Sequence, residues 1–217
     1  MHQISTLMSL LAHAEPQEFR HKPRVLVPDS VTYDAGGVTA DKVNKVFEYI
    51  INTEIFVRDE TTSTVSFANV DTTPDSERSY LVFGIIFYWY VFIYPMVPFP
   101  FSVNPAILAY SIYGYIPICI VNQQISGLAR ISEIIRHYPI DITMEQIDDE
   151  VLQWLDHMEL PYEEFVEQLR DASMERDDLV RRMGNDIIIG ESKAAFDKVR
   201  EGFQRISGFT SVSALPL

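Results

Sequence analysis

Residues 81–129 contain no Asp, Glu, Lys, Arg or His, and this uncharged stretch constrains the fold more than any other feature of the sequence. Its first part, residues 81–97, approaches the roughly 20 apolar residues that cross a bilayer. Such a segment either spans a membrane or forms a helix that is buried on all sides in a globular core. The choice between these two possibilities decides the class of protein.

The membrane interpretation is an integral protein with two spans inside residues 81–121, at 81–97 and 107–121. Prolines divide the stretch into pieces shorter than a span, at Pro95, Pro98, Pro100, Pro105 and Pro117. No cluster of Lys or Arg flanks either piece to set a topology. We therefore expect a central buried helix over 77–94, capped by Asp75 or Ser76. A second short helix should begin at Pro105 and end near Gly114. The two-span protein stays the alternative.

The rest of the sequence predicts an α+β fold that is mainly α-helical. Apolar residues that recur every three or four positions predict helices over 3–14, 40–52, 125–137, 148–158, 161–170, 174–183 and 192–206. A strand is predicted over 24–27, and a hairpin over 55–58 and 64–68.

The sequence predicts no catalytic residues, no metal site and no cofactor. Its single cysteine, Cys119, lies among Ile116, Ile118, Ile120 and Val121, where a thiol is usually an inert small hydrophobe. The five histidines lack the spacing of a zinc site. Adjacent acids at the predicted helix starts are typical of capping and solvated surface rather than of paired catalytic carboxylates.

The net charge of the chain indicates which classes of partner it can bind. A net charge of −14 disfavours a nucleic-acid surface, because phosphate contacts need clustered Lys and Arg. Protein partners, including basic ones, are favoured instead. A single cysteine fits an intracellular protein, located in the cytoplasm, the nucleus or both.

Three motifs occur in a characteristic order. Tyr-Asp-Ala-Gly-Gly-Val at 33–38 joins the predicted strand 24–27 to the helix 40–52 and contains Asp34, Gly36 and Gly37. Tyr80-Leu-Val-Phe-Gly84 lies in the central helix. Ala-Phe196-Asp-Lys-Val-Arg-Glu-Gly202-Phe203 lies in the last helix.

Taken in this order, the motifs resemble the N-terminal lobe of a HECT-type ubiquitin ligase domain, over about residues 20–210. The resemblance implies an N-terminal extension over 1–20 and an N-lobe over 21–217. Within that lobe, the large subdomain would comprise about 21–124 and 185–217, and the small helical subdomain about 125–184. It also makes the membrane interpretation less favourable, because the uncharged stretch then corresponds to the family's buried helices.

The function that this resemblance implies is docking of a thioester-charged ubiquitin-conjugating enzyme. In the family, a cysteine of a C-terminal lobe then accepts ubiquitin and passes it to a substrate lysine. The sequence ends at Leu217, before such a lobe, and Cys119 does not match that cysteine. The expected partners are therefore a ubiquitin-conjugating enzyme and ubiquitin, with no transfer by this chain alone. A degenerate HECT-like scaffold without a role in ubiquitin transfer is a further alternative.

An aromatic patch among acids is the candidate docking surface. It consists of Trp154, Met158, Leu160, Tyr162 and Phe165. Large apolar side chains of this kind often anchor interfaces. The alternative is that they belong to the core of the small helical subdomain.

Overall fold

The computed structural model describes residues 2–15, 37–58, 64–68, 73–93, 102–171 and 175–207. The predicted strand 24–27, Asp34 and Gly36 lie outside these residues. Gly37 is the first residue of a helix. The described part is mainly helical with one small sheet, which confirms the predicted α+β, mainly helical class.

The chain forms two compact units, residues 1–114 with 191–217 and residues 115–190. The first unit contains α1 (His2–His13), α2 (Gly37–Ile51), β1 (Phe56–Arg58), β2 (Thr64–Phe67), α3 (Pro74–Tyr88), β3 (Ser102–Val103), α4 (Pro105–Tyr113) and α10 (Lys193–Ser207). The second contains α5 (Ile118–Gln124), α6 (Leu128–Arg136), α7 (Asp149–His157), α8 (Tyr162–Arg170) and α9 (Arg176–Ile189). A π-helical turn, Trp89–Ile93, extends α3, and 3-10 turns lie at Met144–Gln146 and Gly190–Ser192.

The apolar helix α3 is the centre of the first unit, and α1, α2 and α10 pack against it. It begins earlier than predicted, because Thr73 rather than Asp75 or Ser76 caps it. The Ser76 amide donates to Thr73 Oγ1 at 3.2 Å, and the Thr73 amide donates to Ser76 Oγ at 2.7 Å. This reciprocal capping box, with Pro74 at the first helical position, satisfies amides that a helix start leaves unpaired.

No helix in the described part of the chain is long and apolar enough to cross a membrane. The second span of the membrane interpretation, residues 107–121, is divided between α4 and α5. Asn104 caps α4, and Pro105 is its first residue, as predicted. Gly114, with φ of 77°, ends it.

The small sheet has the order β1-β2-β3, with β1 antiparallel and β3 parallel to β2. The first pair confirms the predicted hairpin-like arrangement. Phe56 and Phe67 face each other across it, with ring centroids 5.6 Å apart, and both rings pack on Tyr80 of α3. The apolar stripe predicted for the helix over 40–52 is also buried in this core; it comprises Val43, Val46, Phe47, Ile50 and Ile51.

The second unit differs from prediction at two helix boundaries. The helix predicted over 125–137 is wrong at its start, because Ile125 ends α5 and Gly127, with φ of 79°, separates it from α6. The helix predicted over 174–183 continues to Ile189, and Gly190 ends it with φ of 35°. In both places a glycine adopts a backbone conformation with positive φ, which residues that have a Cβ avoid.

Candidate docking surface

The five residues of the predicted patch divide into a buried and a half-buried group. Phe165 and Trp154 are only 3% and 8% exposed, so they form part of the core of the second unit. Met158, Leu160 and Tyr162 are partly exposed and lie in or beside the turn that joins α7 to α8. Of the five residues, only Met158, Leu160 and Tyr162 therefore have side chains that a partner can contact directly.

The turn between α7 and α8 is a Schellman motif, a helix ending closed by two backbone hydrogen bonds. The Leu160 amide donates to the carbonyl of Leu155 at 2.9 Å, and the Glu159 amide donates to that of Asp156 at 3.1 Å. Pro161 follows and precedes the first turn of α8. This geometry fixes the direction in which Met158 and Leu160 leave the end of α7.

Glu159 has a φ of 57°, the left-handed conformation that glycine usually supplies at this position. Among the described residues it is the one non-glycine residue with positive φ. Left-handed backbone costs a residue with a Cβ about 1–2 kcal/mol. Strain of this kind clusters at functional sites, which makes the turn a reasonable place to seek function.

Replacing Glu159 with glycine should stabilise the protein by about 0.5–1 kcal/mol. Relief of the left-handed strain exceeds the roughly 0.5–1 kcal/mol that glycine's greater freedom in the unfolded state costs. Urea unfolding measures the change. Glu163→Gly is the matched control: Glu163 lies in the helical first turn of α8, where glycine should destabilise by about 1 kcal/mol. Equal destabilisation by both substitutions would contradict this account.

Acidic side chains surround the turn. Asp156 lies on α7, and Glu163 and Glu164 lie in the first turn of α8, where carboxylates favour the positive end of the helix dipole. The Tyr162 hydroxyl donates to Asp156 Oδ1 at 3.3 Å. Loss of solvation, together with this neighbouring carboxylate, raises the pKa of Tyr162. The phenol therefore stays neutral at physiological pH and remains a hydrogen-bond donor.

Three residues of the second and third HECT-like motifs, Gly84, Gly202 and Phe203, lie elsewhere, at the crossing of α3 and α10 in the first unit. Gly84 lies against the backbone carbonyl of Val199, and Gly202 lies against that of Leu81. Phe196 packs on Phe67 and Tyr110, with centroids 4.8 and 5.3 Å apart. Phe203 packs on Tyr88 and Phe87, with ring centroids 5.4 and 6.1 Å apart. Gly84, Gly202 and Phe203 therefore hold α3 and α10 together, whereas Phe196 joins α10 to β2 and α4.

Polar groups beside this crossing also join α10 to α4. The Tyr110 hydroxyl donates to Asp197 Oδ1 at 2.6 Å, and Lys193 Nζ donates to Asp197 Oδ2 at 2.7 Å. Burial opposes ionisation of Asp197, but the hydrogen bonds from Lys193 and Tyr110 outweigh it and lower the pKa of the carboxyl. The Asp197 carboxylate therefore links α10 to α4.

Cys119 is exposed on α5. Its apolar neighbours in sequence therefore do not enclose the thiol. Within a short helix, neighbours in sequence point to different sides, so Val121 is buried while Cys119 faces solvent.

Comparisons of this chain with models of known protein families, with curated proteins and with solved structures find no match. Function must therefore be argued from the residues and their geometry.

Proposed function

We propose that the chain is a HECT-like N-lobe that docks a ubiquitin-conjugating enzyme, with the turn between α7 and α8 as the docking surface. Transfer of ubiquitin would need a cysteine in a C-terminal lobe. The geometry of the turn is the observation that supports this surface. Met158, Leu160 and Tyr162 are partly exposed there, and Glu159 between them has a strained, left-handed backbone.

The order of the sequence motifs supports the family part of the proposal. Gly84, Gly202 and Phe203 come together at one helix crossing, although the first is far from the others in sequence. A motif that spans distant segments is better explained by a shared fold when its members meet. The proposal therefore rests on the sequence motifs for the family and on the turn for the docking surface.

The buried members of the patch have a supporting role. Phe165 on α8 and Trp154 on α7 are buried in the core of the second unit, while the partly exposed residues offer apolar area to a partner. Interface energy usually concentrates in a few such side chains. A test should therefore alter Met158 and Tyr162 and leave Phe165 in place, since truncating a buried Phe costs about 3–5 kcal/mol of stability.

Tyr162→Ala combined with Met158→Ala should weaken binding to the cognate ubiquitin-conjugating enzyme by about tenfold or more. Isothermal titration calorimetry against a panel of purified conjugating enzymes measures this. Tyr49→Ala is the matched control, because Tyr49 is an exposed tyrosine of the first unit and should leave the affinity unchanged. If no enzyme of the panel binds the wild-type chain, or if the double variant binds as tightly as wild type, the proposal fails.

A further inference from the structure

The second unit carries a large excess of negative charge. Residues 115–190 contain 16 acidic residues but six arginines and no lysine. Five of the six arginines are engaged within the unit. Arg130, Arg136 and Arg181 pair with carboxylates, and Arg170 and Arg176 donate to backbone carbonyls. Much of the unit's acidity is therefore not neutralised internally.

Residues 138–144 present apolar side chains to solvent within this acidic unit. Ile140 is 56% exposed and Met144 is 40% exposed, and Pro139 beside them is exposed as well. Acidic Asp141 and Glu145 alternate with them along the chain, and both are exposed. Exposed apolar side chains bordered by charge are a common composition for an interaction surface.

Cationic side chains of the unit hold the backbone of 138–144 in place. Arg176 Nη2 donates to the carbonyl of Pro139 at 3.2 Å. Arg170 Nε donates to the carbonyl of Ile142 at 3.1 Å, and Ile142 itself is buried. Both arginines are thereby committed to carbonyl oxygens, and neither pairs with Asp141.

Side chains of the following turn complete this anchoring. The Tyr138 hydroxyl donates to Asp148 Oδ2 at 2.9 Å and accepts from the Asp148 amide at 3.0 Å. The Thr143 amide donates to Gln146 Oε1 at 2.8 Å. A surface fixed before binding loses less conformational entropy when a partner docks.

This surface is distinct from the turn between α7 and α8. Arg170 at the end of α8 contacts Ile142, and Asp148 at the start of α7 contacts Tyr138. The turn with Met158 and Leu160 lies at the other ends of these two helices, which are nine residues long. At 1.5 Å per residue the two surfaces are separated by about 13 Å.

We propose that residues 138–144 dock an amphipathic cationic segment of a partner protein, whose apolar face covers Ile140 and Met144 and whose lysines or arginines reach Asp141 and Glu145. Charge complementarity selects this occupant, because a neutral or acidic segment would leave the carboxylates unpaired or repelled. The proposal does not depend on the ubiquitin pathway, since it concerns a different surface and is tested without a conjugating enzyme.

The probe is a labelled synthetic helix of leucine and lysine, with a leucine and glutamate helix of the same pattern as its counterpart. Fluorescence anisotropy at physiological salt should show binding of the lysine peptide alone. Ile140→Ser combined with Met144→Ser should weaken that binding by about tenfold, because the apolar contact is lost. Both side chains are exposed, so the variant should keep the wild-type circular dichroism spectrum.

Leu10→Ser is the matched control. Leu10 is 63% exposed on α1, a helix without Asp, Glu, Lys or Arg, so this variant should bind the lysine peptide as the wild type does. Unchanged binding by the double variant would show attraction by net charge alone and would overturn the proposal, as would failure of the wild type to prefer the lysine peptide. Self-association that the double variant abolishes, measured by sedimentation, would assign the surface to a second copy of the chain and overturn it too.

Discussion

Substituting Gly84 or Gly202 with alanine is expected to destabilise the protein by about 3 kcal/mol or more, a large effect for one added methyl group. At Gly84 the new methyl would overlap the carbonyl oxygen of Val199 and crowd the Phe203 amide at 2.9 Å. At Gly202 it would overlap the carbonyl of Leu81 and lie 3.2 Å from the Ile85 amide. In both cases the obstacle is backbone within a helix, which has no rotamer to change.

Two opposing contributions, helix propensity and packing, decide whether alanine stabilises or destabilises the protein at these positions. In a helix interior alanine is favoured over glycine by about 1 kcal/mol, so an isolated α3 or α10 would gain from either substitution. Overpacking a well-packed contact costs about 1–3 kcal/mol even where side chains can adjust. Here α3 and α10 would have to move apart along their whole contact, so the packing loss exceeds the gain in propensity.

Urea denaturation followed by circular dichroism measures the change in the free energy of unfolding. Glu201→Ala is the control, because Glu201 neighbours Gly202 but is exposed, and its ion pair with Lys198 is a surface contact of small value. Gly184→Ala in the second unit gives an intermediate case, since its added methyl meets side chains, those of Val121 and Leu128. If Gly84→Ala and Gly202→Ala unfold at the urea concentration of Glu201→Ala, the close helix crossing is absent.

Helix faces are the part of the fold that the sequence predicts well. The stripe of α2 and that of α10 follow the spacing of one helix face, and the structure buries Val46, Phe47, Phe196 and Val199 as this spacing requires. A stripe depends on residues near one another in sequence. The partner that covers it depends on the whole fold, which is why the reciprocal approach of Gly84 and Gly202 could not be derived from spacing.

The sequence contains signals for the helix boundaries of the second unit, but an apolar pattern outweighed one of them. Ser126-Gly127 is a turn signal within an apolar pattern, and the pattern over 125–137 concealed it. Pro161, three residues after Met158, the C-cap of α7, is typical of a terminated helix, and the helix predicted over 148–158 ends at that cap. Glu159 gave no signal for a left-handed residue, because glutamate rarely adopts that conformation.

The burial of the patch residues could be derived from the sequence only in part. Phe165 and Leu169 share a face of α8, and that spacing already favours burial of Phe165. Exposure of Met158, Leu160 and Tyr162 depends on how the turn leaves α7, which rests on the Schellman hydrogen bonds. The exposed Ile140 and Met144 were missed, because no periodic pattern covers a segment held by the side chains of Arg170 and Arg176.

Asn185 holds the beginning of the second unit to α9, and Asn185→Leu should destabilise the protein by about 2–5 kcal/mol. The Ile116 amide donates to Asn185 Oδ1 at 2.7 Å, and Asn185 Nδ2 donates to the Ile116 carbonyl at 2.9 Å. Both residues are buried. Leucine has similar size but neither donor nor acceptor, and each backbone group left unpaired in the core costs about 1–3 kcal/mol.

The neighbouring Asp186 supplies the control for this prediction. Asp186 is exposed, but partial loss of solvation and the nearby Glu164 carboxylate raise its pKa, so ionisation of Asp186 does not stabilise the fold. Asp186→Ala should therefore change stability by less than about 0.5 kcal/mol. Urea denaturation gives the free energies, and hydrogen exchange of the Ile116 amide gives a local readout that should accelerate in Asn185→Leu and stay slow in Asp186→Ala. A stable Asn185→Leu variant with a protected Ile116 amide would mean that another group satisfies this backbone. The buried amide pair would then not be what closes the second unit, because a group that can be replaced without loss carries little of the free energy of folding.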